Sequence, residues 1–363
     1  MEKRIKNIFN NIEKKPDVIL IKNSDEPYID DNFFYVTGLT HGLFEGSVAV
    51  LFQDGSIDLI VSELESEIAK KAKAGIKIYR SEEDFDKILK DSISSSSVVG
   101  LNFEGISQKE FCKLKEKLSG IEFIDVSKSF EKTRLVKDEL EINSIKKACT
   151  IADKVMENIP EFLNEGMYEY ELAAEINYLM QKNGADKPAF ETISSFGKST
   201  AEPHYTHGDV AVKNGDLVLC DFGACFKKYN SDITRTFVFG KASADHKEMY
   251  ETVLDAQQIG FETAKAGVNA NEVHHAVESY IDDTKFKGRF IHSTGHSLGL
   301  AVHDGGARFS DANKFELKEN MVFTIEPGVY LPGYGGVRIE DVILIKKSEV
   351  EILTKTSREL IQI

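Results

Sequence analysis

The feature that most restricts this fold is an order of elements that occurs twice in the last two thirds of the chain. Two helical stretches, about residues 138–163 and 168–183, lead into the β-rich run LVLCDFGACFKKYNSDITRTFVF. Two more, about 245–266 and 270–283, lead into a second run, MVFTIEPGVYLPGYGGVRIEDVILI. Each run reads as a hairpin, and each carries two acids: Asp221 and Asp232 in the first, Glu326 and Glu340 in the second.

Positions equidistant from the turn of an antiparallel hairpin face each other. Glu326 and Glu340 do so if the turn centres on Gly333, inside the turn-rich stretch from Leu331 to Gly336. Asp221 and Asp232 do so if their turn centres between Phe226 and Lys227. Directly opposed Cβ atoms lie roughly 4.5–5.5 Å apart, where like charges destabilise the pair. One acid of each pair would have its pKa pushed up strongly unless a cation neutralised both. A lone acid at a strand end is ordinarily solvated, but two facing pairs at equivalent places in a repeat read as a ligand set.

His296, in TGHSLG, adds one imidazole to the set. Four carboxylates and one imidazole, with no sulfur, do not make a structural zinc site and do suit a pair of divalent cations. Four negative charges against two divalent ions leave such a site near neutral. Gly223, Gly295, Gly299 and Gly328 sit beside these positions, where the absence of a Cβ lets backbone and substrate come close.

Composition excludes several other classes. At 363 residues and 41% hydrophobic, the chain can bury a full core and holds two domains of ordinary size. A net charge of −15 opposes a phosphate backbone, and no basic cluster offsets it, so nucleic acid is not an expected partner. Cys112, Cys149, Cys220 and Cys225 form no C-x-x-C pair and read as reduced thiols of a cytoplasmic protein. MEKRIKNIFNNIEKKPD mixes charges of both signs and is neither signal peptide nor anchor, and no apolar run is long enough to span a bilayer.

The first third alternates strand and helix signals. DVILI at 17–21 is a buried strand, SVAVLFQDGSIDLIVS forms a hairpin at Asp54-Gly55, and ELESEIAKKAK at 63–73 reads as a polar helix. Val98 to Phe103 and Glu122 to Val126 are further strands. This makes a small α/β domain without a ligand cluster, residues 1–128, ahead of a second domain at 129–363. Asp138 and Glu141 fit a capping box at the start of the latter's first helix.

Two tempting motifs fail. Asp221-Phe222-Gly223 matches the kinase triplet, but no glycine-rich phosphate loop, V-A-I-K or H-R-D precedes it. H-S-T-G-H at 292–296 has zincin spacing without the intervening glutamate.

FGKSTAEPHYTHGD, GDLVLCDFGACFKKYNSDITRTF, HSTGHSLGLAVHD, MVFTIEPGVY and GVRIEDVILI follow one another as the motifs of the pita-bread metallopeptidases do. NFFYVTGL resembles a segment of the creatinase-like N-terminal domain carried by the Xaa-Pro dipeptidase (prolidase) and Xaa-Pro aminopeptidase branch. The resemblance implies an α+β pita-bread catalytic domain with pseudo-twofold halves behind a smaller α/β creatinase-like domain. It implies dinuclear metal-dependent hydrolysis of X-Pro bonds by a metal-bridging hydroxide, on dipeptides or longer peptides. Asp221, Asp232, His296, Glu326 and Glu340 would be the ligands, with Glu326 also exchanging the water proton. His204 would assist proton transfer, His303 would stabilise the tetrahedral intermediate, and His292 and Arg338 would line the substrate site or support the ligands.

His207 lies close to His204 in sequence, but the motif sets its histidine directly after proline and so selects His204. His41, His246, His274 and His275 read as surface or packing residues. The resemblance further implies a homodimer, and one imidazole among carboxylates favours Mn²⁺, although Co²⁺, Fe²⁺ or Zn²⁺ would fit the same ligands. The alternatives are a metal-free creatinase-type C–N hydrolase, against which the full ligand set counts, and a non-catalytic binding protein on the same fold.

Overall fold

The capping box at Asp138 forms as expected. Its carboxylate accepts the Glu141 N–H and the Glu141 carboxylate accepts the Asp138 N–H, both at 3.0 Å. It starts the long helix Glu139–Phe162. The computed structural model describes residues 1–363 and divides into two units, Met1–Arg134 and Leu135–Ile363. The break falls six residues beyond the expected 128/129 because the helix Ser127–Leu135 buries Phe130 in the first unit, where the Ser129 hydroxyl donates to the Ile8 carbonyl.

The first unit is built on a six-stranded mixed sheet. Its strands are β1 (Val18–Lys22), β2 (Val48–Phe52), β3 (Ile57–Ser62), β4 (Gly75–Tyr79), β5 (Val98–Leu101) and β6 (Glu122–Asp125), in the order β4-β3-β2-β1-β5-β6. The hairpin between β2 and β3 turns at Gly55, φ 91°. Val18, Leu20, Val48, Val50 and Ile60 pack against Phe85, Leu89 and Leu114 from the covering helices. The helix expected at 63–73 shrinks to a 3₁₀ turn, Glu63–Glu65, and a single turn, Ser66–Ala69. Only Ser66 and Ala69 are buried there, too little to hold a longer helix together. The strand β4 follows at once.

In the second unit the repeat is present. The helices Glu139–Phe162 and Glu169–Lys182 precede the first hairpin, and Ala244–Thr263 and Ala270–Asp282 precede the second. Each helix pair covers its own hairpin. Val155, Ile159, Leu172 and Ile176 bury against Val218, Cys220 and Phe222. Val253, Ala256, Val277 and Ile281 bury against Val329, Val337 and Ile339. The two hairpins meet in a bridge between Thr234 and Glu340, where the Glu340 N–H donates to the Thr234 carbonyl at 3.1 Å. No helix is long and apolar enough to cross a membrane, and the four cysteines are unpaired.

Candidate metal centre

The second hairpin has the register its sequence calls for. Ile325 pairs with Asp341 and Gly328 with Arg338, so Glu326 and Glu340 face each other between the two ladder segments. Its turn centres on Gly333, φ 78°. Alternation puts Glu326, Gly328 and Tyr330 on one face opposite Glu340, Arg338 and Gly336. A Cβ on Gly328 would lie 2.4 Å from the Tyr330 hydroxyl, so that glycine makes room for the tyrosine ring rather than for substrate.

The first hairpin corrects the sequence reading. Asp221 pairs with Thr234 and Phe222 with Ile233, so Asp221 and Asp232 are diagonal rather than directly opposed. The turn lies between Lys227 and Lys228, both left-handed at φ 51° and 72°. These are the backbone angles of a tight two-residue hairpin loop, normally marked by asparagine or glycine, and two lysines hid it. The partner shifts by two residues, and two is the strand period, so both aspartates stay on one face.

His296 enters from a short strand, Gly295–His296, paired with Arg308–Phe309. A Cβ on Gly295 would lie 1.9 Å from the Thr324 carbonyl oxygen, so glycine alone allows this strand to press against the second hairpin. The imidazole Nδ1 is 3.3 Å from the Ser297 carbonyl. Nε2 then presents its lone pair to Asp232 Oδ2 at 3.6 Å and Glu326 Oε1 at 3.5 Å. Burial, with His303 beside it, drives the pKa of His296 down to about 3, so the ring is neutral. A lone pair facing two ionised carboxylates is repulsive unless a cation lies between them or one acid holds a proton.

The remaining geometry fits a cation in the same way. One ligand atom from each of Asp232, His296 and Glu340 lies within 4.8 Å of the others. Asp221 Oδ1 and Asp232 Oδ1 are buried without a hydrogen-bond partner. Burial, then the charges of Glu340, Asp221 and Glu326, pushes the Asp232 carboxyl well above the usual range. Burial also raises Glu340 far, with Glu326 next in effect, and pushes Glu326 up to about 7. Arg338 pairs with the cluster's carboxylates, its Nη2 meeting Asp221 Oδ2 at 2.5 Å, while Arg235 reaches only the Glu340 backbone carbonyl, at 2.6 Å. Desolvated acids with spare oxygens and a nitrogen lone pair are what divalent ions require.

The other predicted residues surround this cluster. The ring of His303 packs edge-on to that of His296, centroids 4.2 Å apart. His204 and His292 line a cleft of about 720 Å³ with Glu202, Pro203 and Ile291. His292 Nδ1 is 2.8 Å from the Ser293 carbonyl and Nε2 is 2.9 Å from the Tyr330 hydroxyl, which takes a hydrogen bond from Arg338 Nη1 at 2.9 Å. The tyrosine proton therefore points to Nε2 and the His292 proton sits on Nδ1. Burial first and Arg338 second keep His292 neutral, at about 3. His207 is turned to the Thr192 carbonyl, 3.3 Å away.

Sequence reasoning missed several supporting side chains. Tyr330 joins His292 to Arg338, and the alternation from Glu326 through Gly328 could have found it. Thr234 donates to Glu340 Oε2 at 2.6 Å and accepts from Arg338 Nε at 3.2 Å. Thr324 donates to Glu326 Oε1 at 3.2 Å and accepts the His296 N–H at 3.0 Å. Lys137 and Asp304 form a fully buried ion pair beside His303.

With this geometry, the sequence comparisons become specific. Residues 143–347 match the model of metallopeptidase family M24, and residues 4–136 match the creatinase/prolidase N-terminal domain. The chain belongs to metallopeptidase family M24. It is similar to the Xaa-Pro dipeptidase of Pyrococcus horikoshii, with 39% identity over 99% of both chains. It is similar to that of Pyrococcus furiosus at 40%, over 94% of this chain and 98% of the other. Its backbone superposes on the X-Pro aminopeptidase structure from Thermotoga maritima with a TM-score of 0.91 at 32% identity, covering 96% and 98% of the two chains. This M24 peptidase thus has the α+β pita-bread domain and the creatinase-like α/β domain that its motifs imply. Family membership makes it a metal-dependent peptidase.

In the metal-free protein the carboxylate cluster fixes the sign of a pH effect. Above about pH 7.5, histidines are neutral in both folded and unfolded chains, so His292 and His296, which are already neutral in the fold, drop out. The raised carboxyls keep protons in the folded state that the unfolded chain has already released, and stability therefore falls as pH rises. The thermal midpoint of chelator-treated protein should decline from about pH 7.5 to about 9, and divalent metal should suppress that decline. A flat profile without metal would mean that the acids are not desolvated as one group.

Proposed function

We propose that this peptidase is an Xaa-Pro dipeptidase that uses two divalent ions, with Mn²⁺ as the native metal. The observation that carries the reading is the convergence of Asp221, Asp232, His296, Glu326 and Glu340 with buried, unpartnered oxygens on both aspartates. The full-length similarity to two Xaa-Pro dipeptidases supports the choice of substrate.

When bound, the ions supply Lewis acidity and a water acidified towards neutral pH. The five side chains hold them. Arg338, fixed by Thr234 and Tyr330, steadies Asp221. Glu326, with Oε1 held by Thr324, takes the proton of the attacking water and passes it towards the leaving nitrogen. His303 stabilises the developing oxyanion. A prolyl nitrogen carries no N–H before cleavage and must gain a proton to leave, and His204, which lines the cleft, assists. His292, locked by Tyr330, lines the same cleft.

The proposal extends to a cytoplasmic homodimer, supported by the family resemblance and by four unpaired cysteines. Purified protein, stripped with chelator and reloaded with Mn²⁺, Co²⁺, Fe²⁺ or Zn²⁺, should be assayed on an Xaa-Pro dipeptide and an Xaa-Pro-Xaa tripeptide. Dipeptide cleavage should vanish on stripping and return best with Mn²⁺, with the tripeptide at least tenfold poorer in kcat/KM. Tripeptide preference would favour the aminopeptidase reading, and chelator-resistant turnover a creatinase-type hydrolase. Failure of the folded, Mn²⁺-loaded protein on both peptides would sink the proposal.

A further inference from the structure

A second group of metal-type side chains lies outside the carboxylate cluster, around two histidines that read as surface or packing residues in the sequence. His274 and Glu278, four residues apart on the helix Ala270–Asp282, share one face. Asp311 comes to them from the turn after the strand Arg308–Phe309, closed by the Asn313 N–H on the Ser310 carbonyl. One ligand atom from each of the three lies within 4.8 Å of the other two.

The imidazole is held as a ligand would be. His274 is only 7% exposed, and its Nδ1 is 2.9 Å from the Thr294 hydroxyl, which fixes the ring and leaves Nε2 clear of that bond. Burial keeps His274 below its ordinary pKa and therefore unprotonated at neutral pH. The third ligand is steadied from outside, with His275 Nδ1 3.3 Å from Asp311 Oδ1. A neutral nitrogen with two carboxylates, one half-buried and one exposed, leaves positions open to water and favours a borderline transition ion over Mg²⁺ or Ca²⁺.

We propose that His274, Glu278 and Asp311 form a peripheral site for a divalent transition ion of the zinc type. It is separate from the dinuclear centre, yet Thr294, which holds His274, also accepts the Glu326 N–H on its carbonyl at 2.8 Å.

The test counts zinc on the full chain. Wild type, the single variant Asp311→Asn and the double variant Glu278→Gln/Asp311→Asn are stripped, equilibrated against buffered Zn²⁺ and analysed for bound metal. The double variant should hold one equivalent per chain fewer than wild type, however many ions the dinuclear centre retains. The single variant should need at least tenfold more free Zn²⁺ to fill that equivalent. Identical zinc isotherms for all three proteins would overturn the site. The difference between proteins, rather than the total, carries the result, so a failure of the dinuclear reading would be seen separately.

Discussion

Glu326→Gln should lower kcat on an Xaa-Pro dipeptide by about 10²–10⁴-fold, the usual contribution of a positioned proton-transfer group. The amide keeps the shape of the carboxyl and its contact with Thr324, but it cannot take a proton from water. The chemical step should therefore suffer more than substrate binding, with KM changing little beside kcat. Stability should move the other way in the metal-free protein. Burial and the neighbouring Asp221 raise Glu326 to about 7, and removing one ionisable acid from that cluster relieves repulsion. Chelator-treated Glu326→Gln should melt at or above the temperature of chelator-treated wild type at pH 8. Undiminished kcat would strip Glu326 of its proposed role, whereas lost activity with a much lower melting temperature would indicate a folding defect instead.

How far the sequence reaches into this site depends on the distance over which each contact acts. The second hairpin was readable because its turn is written in glycines around Gly333 and strand period two then carries the register to Glu326 and Glu340. The first hairpin was readable in face but not in register, because Lys227 and Lys228 adopt left-handed angles without the residues that normally announce them. Thr234, not Asp232, consequently stands opposite Asp221, and the same threonine is a bridge to Glu340. In the first unit, residues 63–73 have helix-forming side chains, but the fold leaves Leu64 exposed and buries only Ser66 and Ala69, and composition alone overstated that helix. His274 read as a surface or packing residue because Asp311, the third member of its group, is brought to it only by tertiary folding. The same holds for Lys137 and Asp304, 167 residues apart in sequence.

Lys137→Met should cost about 3–5 kcal/mol of folding stability, as breaking a buried ion pair commonly does. The ammonium of Lys137 is 2.6 Å from Asp304 Oδ2, and the two side chains are 0% and 1% exposed. Methionine fills much of the volume but puts an apolar group where the ammonium met the buried Asp304 carboxylate, so the penalty comes from the lost charge contact rather than from a cavity. Removing both charges in Lys137→Met/Asp304→Leu should recover a good part of the loss, since a buried pair is often no better than its apolar replacement. The consequence for activity runs through His303, the residue before Asp304. The Asp304 N–H donates to the Ser297 carbonyl at 2.9 Å, and the Ser297 hydroxyl donates back to the Asp304 carbonyl. This loop therefore sets where His303 stands against His296. The double variant should regain stability and still fall short in kcat, because its loop is no longer pinned by charge. Urea unfolding of the three proteins, with kcat measured on each, separates the two effects. A Lys137→Met protein within about 1 kcal/mol of wild type would show that the pair contributes little, and full kcat in the double variant would release it from any part in positioning His303.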